Sequence, residues 1–415
     1  MKFRDWLIWI RSKPLYLRWY VIFMLVRPIA EQFYNLKEIS PLLSPLYWIG
    51  FLTLVFSLTG MFRGTTSKTN IDRLFSLWGV LIIISVVMMF ISSDSLFGYL
   101  NYAVKLVLPL VLFFFLRVFI KKKEDLVGLA TTFLFSCIFP ILFMIFGLTG
   151  GRYNSQDRYS GSYADVFSIA FYLSIGLIVL LYLYINSRTF KNTLNVRNSY
   201  VIGGLLLAFI GLWIIKHLAT VVVILTTLSL FLYIIFRKHR GAALFLLIIT
   251  LTISFSSGDK FYNEVLDPRI EKEVEVIEGS RGVSQGMHGR MSRWTWLFGE
   301  FNFAPFYCKI LGYPLSMKVS NHMVGITPHN DFLRILFFTG YAGLILYLSI
   351  LYKVFSRIRY KDMPDRFFLY AVLIATILYS ITTVPTFYPG YVNILMIVFA
   401  YSALPVKTKY AVSRI

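Results

Sequence analysis

Apolar stretches of about 17 to 24 residues recur along the whole chain, and no other feature constrains its fold as tightly. A helix rises about 1.5 Å per residue, so stretches of that length cross a hydrocarbon core roughly 30 Å thick. Twelve spans are expected, at 16–33, 45–61, 75–92, 97–120, 126–149, 166–186, 200–215, 218–236, 242–256, 332–355, 367–384 and 388–405. Hydrophobic residues make up 57% of the chain and charged ones only 15%, which excludes an ordinary soluble domain. The expected fold class is all-α: a polytopic helical membrane bundle of about 12 transmembrane helices, forming one integral domain over residues 1–415.

The formal charge of +21 invites a nucleic-acid partner, but nucleic-acid binders gather their cations on one soluble face. Here the cations fall between apolar stretches. With an even number of spans the termini share a side, and that side holds 24 of the 41 basic residues. The positive-inside rule therefore makes both termini of this multi-pass protein cytoplasmic. The loops at 150–165 and 257–331 then face outward, into the periplasm or its equivalent, the second lying between spans 9 and 10. The first stretch contains Arg18 and Arg27 and lacks a small-residue cleavage site, so it is expected to stay as the first span. The inner loops are too short for a nucleotide-binding fold. Cys137 and Cys308 give neither a disulfide framework nor a metal spacing.

The two outer loops depart from the pattern of an ordinary membrane protein. The first reads GRYNSQDRYSGSYAD, a turn-forming mixture that carries Arg158. The second opens with a run of acids from Glu264 to Glu278, expected to be solvated. In the GVSQGMHGRMSRWTWLFGEF segment that follows, Trp294, Leu297, Phe298 and Phe301 recur at helical spacing. This predicts an amphipathic helix on the membrane surface or capping the bundle, with Arg290 and Arg293 on or near its first turn. A turn-rich stretch leads on to Pro328-His329-Asn330-Asp331-Phe332-Leu333-Arg334.

Guanidinium groups stay charged and present forked donors that match phosphate oxygens in pairs, so Arg158 and Arg290 suit a diphosphate clamp. Loop arginines also snorkel to headgroups, which is the plainer reading of either one. His329 suits a general base near neutral pH, or else packs at a helix start. Asp331 reads as the N-cap of the tenth span. Arg334 either faces a polar cavity with His329 or snorkels. His288 and His322 share the outer loop, but their spacings match no zinc motif. Lys216 and His217, at the outward end of a hairpin of spans, either bind a second anionic group or are structural. Lys105 lies inside the fourth stretch and calls for a cavity or partner. No paired carboxylates stand beside the outer face, which favours charge neutralisation by arginine over a metal-dependent carboxylate mechanism; no cofactor or metal is expected.

The ordered set HGRMSRWTW, ILGYPL and TPHNDFLRILFFTGYAGLILYL, preceded by RYSGSYAD, resembles the signature region of the O-antigen ligase and polymerase superfamily of bacterial envelope glycan assembly. The resemblance implies a C-type glycosyltransferase-like fold and a metal-independent, inverting transferase. Such an enzyme takes a glycan from undecaprenyl diphosphate and passes it to an acceptor hydroxyl at the periplasmic face of the bacterial inner membrane. Under that resemblance Arg158 and Arg290 match the diphosphate-binding arginines, and His329 matches the essential histidine. Arg293, Lys216, His217, Arg334 and His288 are the further substrate-binding candidates. Many members carry a Ser-Arg pair where this chain has Lys216-His217-Leu218-Ala219-Thr220, which substitutes a point charge for a fork.

Within the superfamily a polymerase adds the growing glycan to a fresh lipid-linked repeat unit, whereas a ligase passes the finished chain to lipid A core. The replaced central arginine and the lack of an added periplasmic acceptor domain favour the polymerase. The expected partners are the lipid-diphosphate-linked donor, the glycan or lipid A core acceptor, membrane lipids and a chain-length regulator, with no nucleic acid. A transporter of glycolipid or small anions is the reading from a different class. The absence of a half-to-half repeat and the long asymmetric loop argue against it.

Overall fold

The computed structural model describes residues 3–64, 66–92, 96–146, 152–153, 159–161, 163, 166–189, 196–236, 262–263, 267–280, 282, 286–313 and 328–405. Among them the chain forms α1 (Phe3–Arg11), α2 (Leu15–Glu31), the one-turn α3 (Leu36–Ile39), α4 (Pro45–Met61), α5 (Asn70–Ser92), α6 (Leu96–Phe119), α7 (Lys123–Ser136) and α8 (Ile138–Phe146). There follow α9 (Val166–Thr189), α10 (Asn198–Ile215), α11 (Leu218–Phe236), α12 (Asp267–Ile277), α13 (Gly286–Phe303), α14 (Phe306–Leu311), α15 (Asp331–Ile358), α16 (Met363–Thr382) and α17 (Pro389–Ser402). A two-residue strand, Arg152–Tyr153, pairs antiparallel with Tyr159–Gly161.

Seven described helical segments are long and apolar enough to cross a membrane, with α7 and α8 together (Lys123–Met144) counting as one, and three shorter apolar helices accompany them. Helices occupy eleven of the twelve expected segments; the segment at 242–256 lies outside the described residues. α9 is apolar all round and 94% of its span is buried within the protein, against 33% for α5 and 28% for α10. This places α9 at the centre and leaves α5 and α10 at the periphery, where apolar side chains suit lipid.

Among the described residues, buried charges are paired. Arg27 bonds Glu31 one turn on in α2, at 2.8 Å, and Tyr172 of α9 donates to the other oxygen of Glu31 at 3.1 Å. At the opposite end of the bundle Arg117 grips Asp72 through Nε at 2.7 Å and Nη2 at 3.1 Å. The amphipathic α1 buries Trp6 and Trp9, and the Trp6 indole donates to Thr132 of α7 at 3.0 Å. That helix was not legible among the basic residues of the N-terminal segment.

Two expected spans are interrupted. The one at 126–149 is divided at Cys137, before Pro140, into α7 and α8. The one at 332–355 is longer than expected, and Gly340 breaks it with φ 66° and ψ −171°. The break admits another backbone: a Cβ on Gly340 would stand 2.3 Å from the Ile310 carbonyl carbon and oxygen. A Cβ on Gly312, where φ is 116°, would stand 2.3 Å from the Phe338 oxygen. The end of α14 is thus set into the break in α15, backbone against backbone. Around this junction Leu297, Phe301, Ala304, Cys308, Tyr313, Leu333, Leu336 and Phe337 form a second apolar core, separate from that of the bundle.

Candidate functional site

The PHNDFLR stretch leads into the part of α15 before its break, up to Thr339. Its N-cap is Asn330, whose side chain accepts from the Leu333 amide at 3.0 Å. This corrects the assignment of the cap to Asp331. Both residues are good caps by composition, but Asp331 is fully buried and turns to the α16–α17 connection instead.

There Asp331 Oδ2 accepts from the Thr386 amide at 3.0 Å, and its Oδ1 accepts from the Thr386 hydroxyl at 2.9 Å. Arg334 donates to the same Oδ1 through Nε at 2.9 Å and through Nη2 at 2.8 Å. Its Nη2 also bonds Thr386 Oγ1, and its guanidinium carbon stands 4.9 Å from the centre of the Phe387 ring. Arg334 is therefore held inside the protein by Asp331, in a pair that locks the start of α15 to the loop before α17. Asn330 adds a second tie, donating from Nδ2 to the Ile381 carbonyl at 3.3 Å.

His329 precedes this anchored pair with φ 48°, in the left-handed region that a β-carbon disfavours. On its other side the buried Pro328 accepts from the Trp294 indole of α13 at 2.8 Å. The strained histidine is thus fixed by its neighbours in both directions. α13 confirms the expected helix: Leu297 and Phe301 are buried, Trp294 is half-buried, and Phe298 is exposed. Arg290 lies just past its first turn, near where it was expected, and is half-buried, while Arg293 is exposed.

Both arginines act on the histidine. Burial, and after it the charges of Arg290 and Arg293, lower the His329 pKa from 6.5 to about 4. At neutral pH the imidazole is uncharged and has a lone pair with which to accept a proton. An anion bound to the arginines would answer their charge and raise the basicity of the histidine.

Lys216 caps α10 in a left-handed conformation, φ 49°, with its amide bonded to the Leu212 carbonyl at 2.9 Å. His217 is buried, its Nδ1 2.7 Å from Thr220 Oγ1. Tyr379 of α16 donates to the same Thr220 oxygen at 3.1 Å, and its hydroxyl is 2.8 Å from Ser174 Oγ. His217 thus ends a buried row of hydroxyls beside the last turn of α16, the turn whose Ile381 carbonyl also holds Asn330. Arg158 and His322 lie outside the described residues, and of His288 the helical backbone alone is described.

The sequence reading missed Thr386 and Phe387, whose bonds reach back over 50 residues to Asp331 and Arg334 and leave no local signal. The cap was legible in principle, since asparagine stands directly before the helix. Among the described residues no group of three or more His, Cys, Asp or Glu could hold a metal ion. Comparison with protein-family models gives no match, and comparison with curated proteins gives none either.

Proposed function

We propose that this chain is a polysaccharide repeat-unit polymerase, which transfers a glycan from undecaprenyl diphosphate to an acceptor sugar hydroxyl at the outer face of the inner membrane. The observation that carries the reading is the bond from Trp294 of α13, the helix of Arg290 and Arg293, to the carbonyl of Pro328 beside His329, with the charges of both arginines lowering the imidazole's pKa. The ordered motifs that resemble the O-antigen ligase and polymerase superfamily support it, and this reading takes all twelve spans, cytoplasmic termini and a periplasmic His329.

In the reaction the acceptor oxygen attacks the anomeric carbon from the face opposite the diphosphate, so the configuration inverts. His329 takes the hydroxyl proton as that bond forms. The bond from the anomeric carbon to the diphosphate breaks, and its electron pair leaves with the lipid diphosphate. Arg290 and Arg158 receive this charge with forked donors, while Arg293 and Lys216 add to the cationic field. Guanidinium groups held ready before reaction meet the developing charge with donors that need not reorganise, which is how the proposed clamp would act.

A ligase would perform the same chemistry on lipid A core. Deleting the gene and inspecting the surface glycan separates the two. The polymerase reading expects single repeat units on the surface, restored to long chains by the wild-type gene. Long lipid-linked chains left unattached would instead identify a ligase, and an unchanged glycan would remove both.

A further inference from the structure

The break at Gly340 gives the two parts of α15 different surroundings. Phe332 and Tyr347, which an unbroken helix would hold about 22 Å apart, meet at 6.4 Å between ring centres, so the part before the break turns back on the part after it. The span towards Ile358 is carried by the second part. At its far end Arg357 donates to the Ala403 carbonyl at 3.1 Å and Lys361 to the Tyr401 carbonyl at 3.1 Å. These cations mark one boundary of the hydrocarbon. Gly340 stands about 25 Å from Arg357 along the helix axis, inside a core roughly 30 Å thick. The backbone of Ile310 is set against Gly340, so the end of α14 lies at hydrocarbon depth too.

Beyond the break Tyr341, Ile345, Leu348 and Tyr352 are exposed at helical spacing. In a segment long and apolar enough to cross a membrane, such a stripe faces lipid. Phe301 of α13 packs edge-on against Tyr341 at 5.3 Å, where that stripe begins. Two residues on, Phe303 is 92% exposed, and across the corner into α14 Phe306 is 78% exposed. Tyr307 and Leu311 of α14 are exposed as well. The segment from Asn302 to Cys308 carries no charge. Lys309, the one charged residue of α14, is half-buried and stands about 200° round the helix from both Tyr307 and Leu311. So much adjoining aromatic surface marks a place of contact rather than one left in water.

We propose that the corner between α13 and α14, from Phe303 to Tyr307, is a wedge inserted in the lipid bilayer, in the leaflet opposite the one that holds Arg357. Its partner is the hydrocarbon itself, continuous with the lipid that covers the Tyr341 stripe. The wedge fixes the depth of α13 in the membrane, while Leu297 and Phe301 of the same helix fix it to α15. The proposal stands on the spanning part of α15 and does not depend on the transferase reading.

The test is a collision measurement on nitroxide labels in the full chain, reconstituted in phosphatidylcholine vesicles. Phe303→Cys, Phe306→Cys and Tyr307→Cys each put the label at an exposed position, and wild type, whose two cysteines are buried, gives the background. Ile345→Cys is the reference for lipid, and Glu278→Cys, exposed just after the acidic α12, is the reference for water. Labels on the corner are expected to match Ile345, with a ratio of oxygen to nickel-complex collisions about 10-fold or more above that at Glu278, since hydrocarbon admits oxygen and excludes the polar complex. A ratio equal to that at Glu278 would place the corner in water, and labels reached by neither reagent would place it against protein. Either result would overturn the proposal.

Discussion

The Trp294 indole donates to the carbonyl of Pro328 at 2.8 Å, and this bond joins the helix that carries Arg290 to the residue before His329. It spans 34 residues of sequence. Trp294→Phe keeps the ring packing and removes the donor, at a stability cost of about 1 kcal/mol. Glycan transfer is expected to fall much further, about 10-fold or more, because the imidazole loses its alignment with the arginines. Parallel measurement of unfolding temperature and transfer rate checks this; equal, small losses in both would make the bond merely structural.

His329 occupies a backbone conformation that favours glycine, at a cost of about 1–3 kcal/mol. His329→Gly is therefore expected to raise the unfolding temperature while abolishing long-chain glycan. A packing histidine would behave in the opposite way, losing stability when removed. Differential scanning fluorimetry in detergent, beside glycan gels, reads both outcomes.

The Asp331–Arg334 pair has its own signature. Removing one partner strands a buried charge, and Asp331→Asn or Arg334→Met is expected to cost about 3–5 kcal/mol. The double variant should be less damaged than the two single losses combined, since no charge is left alone. Urea titration of all four proteins measures the coupling, and strictly additive losses would refute it.

The depressed pKa of His329 fixes the sign of its pH dependence. Above about 6.5 the imidazole is neutral in both folded and unfolded chains, and its contribution is constant. As pH falls from there towards about 4, the unfolded chain takes up the proton first, so this residue contributes a loss of stability across that window. Arg290→Ala removes one of the depressing charges and should move the His329 titration upward, visible by NMR of labelled histidine. A downward or absent shift would separate the two residues.

Much of the bundle could be read from apolar run length alone, and α4 occupies the expected 45–61 to the residue. The arginine-bearing helix was equally legible, because Leu297 and Phe301 recur one turn apart and are both buried. What escaped was every feature set by a distant partner. Gly340 looks like any glycine in an apolar helix until the backbone of Ile310 is brought against it. Arg334 could not be told from a snorkelling cation, because Thr386 and Phe387 reach it from another connection. Trp294 was visible as one member of an apolar stripe, while its bond to Pro328 was not.

The central claim is that His329 takes part in breaking the bond between glycan and lipid diphosphate. The most direct measurement is release of undecaprenyl diphosphate from a lipid-linked glycan by purified protein, wild type against His329→Ala, each shown to be folded. Wild type is expected to release the lipid diphosphate, and His329→Ala to retain less than about 1% of that rate, as loss of a general base of about 10²–10⁴-fold effect requires. Equal release by the two proteins would contradict the account.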